Sequence, residues 1–261
     1  MVYFSKGVVK VFTQDNERFE MVVKSNELIQ KSRFSLTTNQ QKIILYLISK
    51  LKYKDTDFTE CKVDIKDFCR VCGIDLSNGR RYNELKNSIK QIADKSIWLE
   101  KENGDESLVR WIEKPTIHKN DGVITIKLDE DLKPYLLELK EKYTQYELIY
   151  TLKMKSKYSI RLYELLKSRQ YNKLKEYNVK YSIDELKKLL DAENYKGFKD
   201  FRRRVLEKAI EEINAFTDIQ IELTAIKQGK TITEIEIHIE TKEPLERFKT
   251  AIMLERSLNN E

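Results

Sequence analysis

Leu36-Thr37-Thr38-Asn39-Gln40-Gln41-Lys42-Ile43-Ile44-Leu45-Tyr46-Leu47 returns in altered form as Ser156-Lys157-Tyr158-Ser159-Ile160-Arg161-Leu162-Tyr163-Glu164-Leu165-Leu166. Thr37 or Thr38 is suited to cap the first of these helices, and both segments continue with apolar residues at helical spacing. A short second helix follows each: Val63-Asp64-Ile65-Lys66-Asp67-Phe68 and Tyr181-Ser182-Ile183-Asp184-Glu185-Leu186. A basic amphipathic stretch and two strand-like runs complete each unit. Residues 36–128 and 151–240 therefore repeat one order: helix, short helix, long charged helix, β-hairpin. That order is a winged helix, a helix-turn-helix with a hairpin behind it. The fold class expected is α+β, predominantly helical, with two winged helices in tandem.

Working outward, five segments are expected: an extension over 1–23, a first domain over 24–128, a connector over 129–150, a second domain over 151–242 and a helical tail over 243–261. In the first domain, Leu36, Ile43, Leu47 and Leu51 form a core stripe. Asp64 is placed to cap the second helix, and Gly73 to stop it. The third helix, about 79–95, turns Tyr82, Leu85, Ile89, Ile92 and Ala93 inward. Its other side carries Arg80, Asn83, Glu84, Asn87 and Gln91, with Arg81 and Lys90 beside them. Asn, Gln and Arg make paired hydrogen bonds to base edges, whereas a merely solvated face more often carries Lys and Glu. Arg80, Arg81, Asn83, Asn87 and Lys90 are the DNA-contact candidates here, with a protein-partner surface as the rival reading. The wing is expected as 97–100 plus longer strands at 107–117 and 123–128, turning at Asn120-Asp121-Gly122. The connector carries Leu132, Leu136 and Leu139 at helical spacing and almost no glycine, which predicts a semi-rigid helical link.

In the second domain the third helix is expected over about 197–216. Phe198, Phe201, Val205, Ala209, Ile213 and Phe216 form its inner side, and Lys199, Arg203 and Arg204 face outward with Arg202 at the margin. Three successive arginines on an exposed helix add little stability. They suit bidentate guanine and phosphate contacts, so this is expected to be the stronger reader. The wing runs 219–225 and 231–240, with Lys227 and Lys230 at a tip built around Gly229, within reach of a phosphate or the minor groove.

Net charge is +6, and its distribution matters more than its size. Basic residues exceed acidic ones by two in residues 1–150 and by five in residues 151–242, while the tail is acidic by one. Residues 151–175 hold Lys153, Lys155, Lys157, Arg161, Lys167, Arg169, Lys173 and Lys175 against the lone acid Glu164. Such a stretch reads as a phosphate-facing surface, and Lys155, Lys157 and Arg161 join the contact candidates; a solvated helix face is the plain alternative. Seven Gly and three Pro argue against long disordered linkers, and no apolar run approaches the ~20 residues of a membrane span. No signal-peptide core is evident in residues 1–12, so a cytoplasmic protein is expected.

Catalytic motifs are sparse. Gly229-Lys230-Thr231 lacks the earlier glycine of a phosphate loop, since Thr224 stands there, and a strand follows where a helix is required. Cys69-Arg70-Val71-Cys72 has metal-ligand spacing but no second pair, with Cys61, His118 and His238 as the possible helpers. Buried small side chains are the expected role, in keeping with three cysteines in a reducing compartment. A nicking enzyme would pair a tyrosine nucleophile with clustered histidines, and the two histidines here are isolated on strands. The expectation is a binding protein without enzymatic activity, cofactor or metal.

Beyond these patterns, the chain resembles the replication initiator (Rep) proteins of iteron-containing, theta-replicating plasmids over about residues 24–240. The resemblance rests on the 33–45 run Arg33-Phe34-Ser35-Leu36-Thr37-Thr38-Asn39-Gln40-Gln41-Lys42-Ile43-Ile44-Leu45, on the 156–165 segment quoted above, and on Phe201-Arg202-Arg203-Arg204-Val205-Leu206-Glu207-Lys208-Ala209-Ile210-Glu211-Glu212-Ile213-Asn214. Lys208 stands where the family often has proline. The resemblance implies a monomer that binds directly repeated origin sequences in double-stranded DNA, helps open the origin, and recruits the host initiator and replicative helicase. It also implies a homodimer, formed through the first domain, that represses its own gene. A winged-helix transcriptional regulator bound to a palindrome is the alternative, and a nicking enzyme a more distant one.

Overall fold

The computed structural model describes residues 2–5, 8–11, 16–72, 79–100, 104–170 and 174–259. It opens with a hairpin of β1 (Val2–Ser5) and β2 (Val8–Val11), followed by β3 (Met21–Ser25), α1 (Asn26–Lys31) and the two-residue β4 (Ser32–Arg33). The first winged helix is α2 (Thr38–Ser49), β5 (Cys61–Asp64), α3 (Ile65–Cys72), α4 (Gly79–Asp94), β6 (Ser96–Glu100), β7 (Glu106–Arg110), β8 (Thr116–His118) and β9 (Val123–Ile126). The short α5 (Lys133–Leu136), β10 (Tyr143–Glu147) and α6 (Ile149–Leu152) lead to the second unit. There α7 (Lys157–Lys167), β11 (Glu176–Ser182) and α8 (Ile183–Leu189) precede a long helix. That helix has three parts: α9 (Phe198–Phe201), a π-turn at Arg202–Leu206, and α10 (Glu207–Phe216). The wing is β12 (Ile219–Gln228) and β13 (Thr231–Thr241), and α11 (Pro244–Asn259) closes the described chain.

The duplication read from the sequence appears in the strand order. The sheet of the first unit runs β5-β9-β8 and that of the second β11-β13-β12. In both, the strand before the short helix pairs with the last strand of the hairpin. Among the described residues, the first unit adds a β4-β6-β7 sheet ahead of its hairpin. The caps also fall where expected. Thr37 and Gln40 form a reciprocal capping box on α2, and Asp64 accepts from the Lys66 and Asp67 amides at the start of α3.

Two expectations are corrected. The strand expected over 107–117 is broken into β7 and β8, because the chain turns inward to bury Trp111 and Ile112 and Pro115 offers no N–H to a ladder. The connector is not mostly helical. Its leucine spacing holds through α5, after which Glu138 (φ 51°) and Lys142 (φ 50°) take left-handed backbone that no helix continues through. The chain then forms β10, which pairs antiparallel with β3 from Tyr143 opposite Ser25 to Glu147 opposite Met21. Thr144 and Tyr146 alternate inward along it, the period of a strand. β3 straddles the boundary expected at residue 24, so the segment ahead of the first winged helix is stitched to the segment behind it.

Further seams join the two halves. Lys24 on β3 forms a buried ion pair with Glu164 on α7 at 2.6 Å, with side chains 3% and 2% exposed. Tyr146 on β10 donates to the same carboxylate at 2.6 Å. At the starts of α2 and α7, Thr38 Oγ1 donates to the Lys155 carbonyl and Gln41 Nε2 to the Lys157 carbonyl. Finally, α11 packs back on α3 and α6, burying Ala251, Leu254 and Leu258. Fully buried Arg18 fastens that end: it donates to the Arg70 and Val71 carbonyls of α3 and to Asn259 Oδ1 of α11.

Candidate nucleic-acid interface

The third helix of the second unit is fixed from inside. Phe201, Val205, Leu206, Ala209 and Ile213 are buried, and Arg202, Arg203 and Arg204 stand exposed between the first two. A regular helix would not hold three consecutive residues out and the next two in. The π-turn does this by widening one turn by a residue, so the Glu207 amide donates to the Arg202 carbonyl five residues back. Such bulges concentrate at functional sites. Leu206, absent from the core expected from sequence, is buried by the same turn.

The arginines are held by acids of their own helix. Arg203 pairs with Asp200 at 3.0 Å, Arg204 approaches the same oxygen at 4.0 Å, and Arg202 reaches Glu207 at 3.3 Å across the π-turn. Lys199 is exposed beside them. The wing tip presents Lys227 and Lys230 to solvent, at a β-bulge between Ile226 and Lys227 and around Gly229, whose φ of 64° favours glycine.

Glu212, outside the expected contact and core residues, anchors this helix to the rest of the domain. Glu212 on α10 is 3% exposed, and its carboxylate accepts from the Lys155 and Ser156 amides at 3.1–3.2 Å. It satisfies donors at the start of α7 that would otherwise be orphaned. The signal was available: Glu212 falls at helical spacing from Ala209 and next to Ile213, on the inner face.

In the first unit α4 has the expected polarity. Leu85, Ile89 and Ile92 are buried, and Asn83, Asn87, Lys90 and Gln91 are exposed. Lys90 pairs with Asp94 at 2.8 Å, and Gln91 accepts from Gln40 of α2 at 2.7 Å. The side chains of Arg80 and Arg81, like residue Lys173 of the basic stretch, lie outside the described residues.

The basic stretch of α7 is corrected most. Lys155 is exposed, but Lys157 is partly covered and ion-paired with Asp191 at 2.6 Å. Arg161, expected at a phosphate-facing surface, is 4% exposed. Its guanidinium donates to the Ser32 carbonyl at 2.8 Å and the Leu189 carbonyl at 3.1 Å, over the Phe34 ring. Burial pushes its pKa down to about 10, which leaves it charged at neutral pH. Arg161 is a seam between β4 and α8, because α7 is buried all round from Ser159 to Leu166 and has no solvent face there.

The cysteine reading agrees with the structure. Cys69 and Cys72 are buried, and burial raises the Cys69 thiol to about 12 and the Cys72 thiol further. The two histidines stay apart, His118 bonding Thr125 and His238 bonding Asn178. Among the described residues no three His, Cys, Asp or Glu side chains come together as a metal-ligand group, and no helix is long and apolar enough to cross a membrane.

Two family models match the chain in succession. One, described as Initiator Replication protein, WH1, matches residues 21–167, and the other, Initiator Rep protein, WH2, matches residues 182–239. The chain belongs to the initiator replication protein family. This initiator is 26% identical over 233 residues to a protein of Escherichia coli named replication initiation protein, covering 84% of the chain and 69% of that relative. It is 30% identical over 146 residues to the PI protein of Escherichia coli, covering 50% of the chain and 47% of the relative, so this match spans about half that relative's length. Its fold matches a crystal structure of Pi initiator protein in complex with iteron DNA, with a TM-score of 0.71, 22% identity, and coverage of 87% of this initiator and 99% of that chain.

Proposed function

We propose that this initiator starts plasmid DNA replication by binding directly repeated origin sequences as a monomer, with the second winged helix as the main reader and the first adding contacts along the same duplex. The observation that carries this reading is the exposed Arg202-Arg203-Arg204 run on the third helix of the second unit, together with the lysine-tipped wing beside it. A structural relative that holds iteron DNA on the same fold supports it. In this reading Asn83 and Asn87 on α4 approach base edges, and Lys90, Lys155, Lys157 and Lys199 lie along the backbone. Host initiator and helicase recruitment, and a repressor dimer formed through the first unit, follow by analogy with the family. So do cytoplasmic residence and the absence of bond chemistry of its own; supercoiled origin DNA incubated with the protein and Mg²⁺ should stay supercoiled.

The test is selection of bound duplexes from a random pool at physiological salt, followed by sequencing. A directional site of about two turns, ~20 bp, supports two unlike readers in line. A palindrome would instead favour a dimeric regulator, and no enrichment would remove the reading. With the site in hand, Arg203→Ala or Arg204→Ala should cost about 1–3 kcal/mol on that site and relax the preference for particular bases. Lys227→Ala or Lys230→Ala should weaken all duplexes alike and lower the logarithmic salt slope by about one unit. Filter or fluorescence titrations over a salt series separate the two classes.

A further inference from the structure

Asp200 is an acid at the surface where the proposed reader meets a polyanion. It is exposed, lies one turn before the arginines, and touches two of them: Arg203 at 3.0 Å and Arg204 at 4.0 Å, both to the same oxygen. Stability gives little reason for it, since an exposed pair of this kind contributes next to nothing. For affinity alone it is unfavourable, because a carboxylate facing phosphates opposes every sequence equally. Its geometry gives it a different use. Two guanidinium groups leaning on one carboxylate lose rotamer freedom before DNA arrives, and a fork fixed in advance distinguishes a base edge better than one that wanders to the nearest phosphate.

We infer that Asp200 is a specificity-determining positioning residue, which holds Arg203 and Arg204 for base edges and penalises their use on the phosphate backbone. The inference rests on the arginines being base readers, as proposed above. It does not make Asp200 a base reader itself. The carboxylate acts on sequence choice through the two arginines, partly by orienting them and partly by making wrong sites worse. Arg202 is set apart from this unit, since the π-turn turns it toward Glu207 instead.

The experiment compares full-length wild type, Asp200→Asn, Asp200→Glu, Arg203→Ala and Arg204→Ala. Each is titrated on the selected duplex and on a scrambled one at two salt concentrations, and each is passed through the random-pool selection. Asp200→Asn should bind the scrambled duplex about three- to tenfold more tightly with no matching gain on the selected one, so the specificity ratio falls. Its selected pool should lose base preference at the positions that Arg203→Ala and Arg204→Ala also relax. Asp200→Glu, which keeps the charge, should retain more of the ratio than Asp200→Asn. The inference is overturned if Asp200→Asn tightens both duplexes by one common factor, for the carboxylate is then bulk charge. Loss of preference at a position neither arginine controls also overturns it, because Asp200 would itself touch a base. Should the arginine variants relax the site while Asp200→Asn leaves the ratio unchanged, this inference falls and the proposed function stands. No selected site for the wild type would take down both.

Discussion

Replacing Glu164 by alanine is expected to destabilise the chain by about 3–5 kcal/mol, the range for stripping one partner from a buried charge pair. The reason lies in what surrounds the carboxylate. Lys24 donates to it at 2.6 Å, Tyr146 at 2.6 Å, and Arg161 on the same helix is close enough for Glu164 to hold up its pKa against burial. Burial lowers the pKa of Lys24, and Glu164 again opposes the shift. One anion thus stands between two buried cations. Removing it leaves both uncompensated, whereas Lys24→Met leaves Glu164 with Arg161 still beside it. The order of cost should be Glu164→Ala, then Lys24→Met. The double variant Lys24→Met with Glu164→Gln, which discards the pair yet keeps an acceptor for Tyr146, should recover part of the loss. Urea denaturation followed by far-UV circular dichroism measures all three. Equal costs for the two single variants would show that Arg161 does not share the carboxylate.

Arg161→Met is the second large effect. Two charge-assisted hydrogen bonds to carbonyls are lost, each worth about 1.5–3 kcal/mol, and the methionine keeps most of the packed volume. A loss of about 3 kcal/mol is therefore expected, with the salt slope of DNA binding unchanged, because a buried guanidinium meets no phosphate. Salt titration of this variant beside Lys227→Ala makes the contrast direct. A slope reduced by about one unit in Arg161→Met would place the guanidinium on DNA and contradict the buried position.

Arg161 also shows where sequence reading reached its limit. The tandem winged helices, both caps, the polar face of α4 and the exposed arginines were legible, since each follows from a local period or a capping residue. Residue type alone groups Arg161 with its basic neighbours. Yet Ile160, Leu162, Tyr163, Leu165 and Leu166 around it cover every side of the helix, and a helix apolar all round has no solvated face. Strand β10 is hidden for a related reason: the leucines before it set a helical period that masks the alternation in Tyr143-Thr144-Gln145-Tyr146-Glu147. The π-turn had no local sign at all. What selects it is tertiary, the burial of Val205 and Leu206 together while the three arginines stay outside.

The seams also bear on how such a chain changes over time. Strand β3 precedes the first winged helix and pairs behind it, and α11 follows the second winged helix and docks on α3 of the first. A crossover between two related genes in the stretch joining the halves would therefore inherit mismatched partners at both places, besides those of Lys24 and Arg161. The two winged helices are not interchangeable cassettes. With DNA read as proposed above, new specificity is reached more readily by substitutions on the outward faces of α4 and of the arginine-bearing helix than by swapping whole domains.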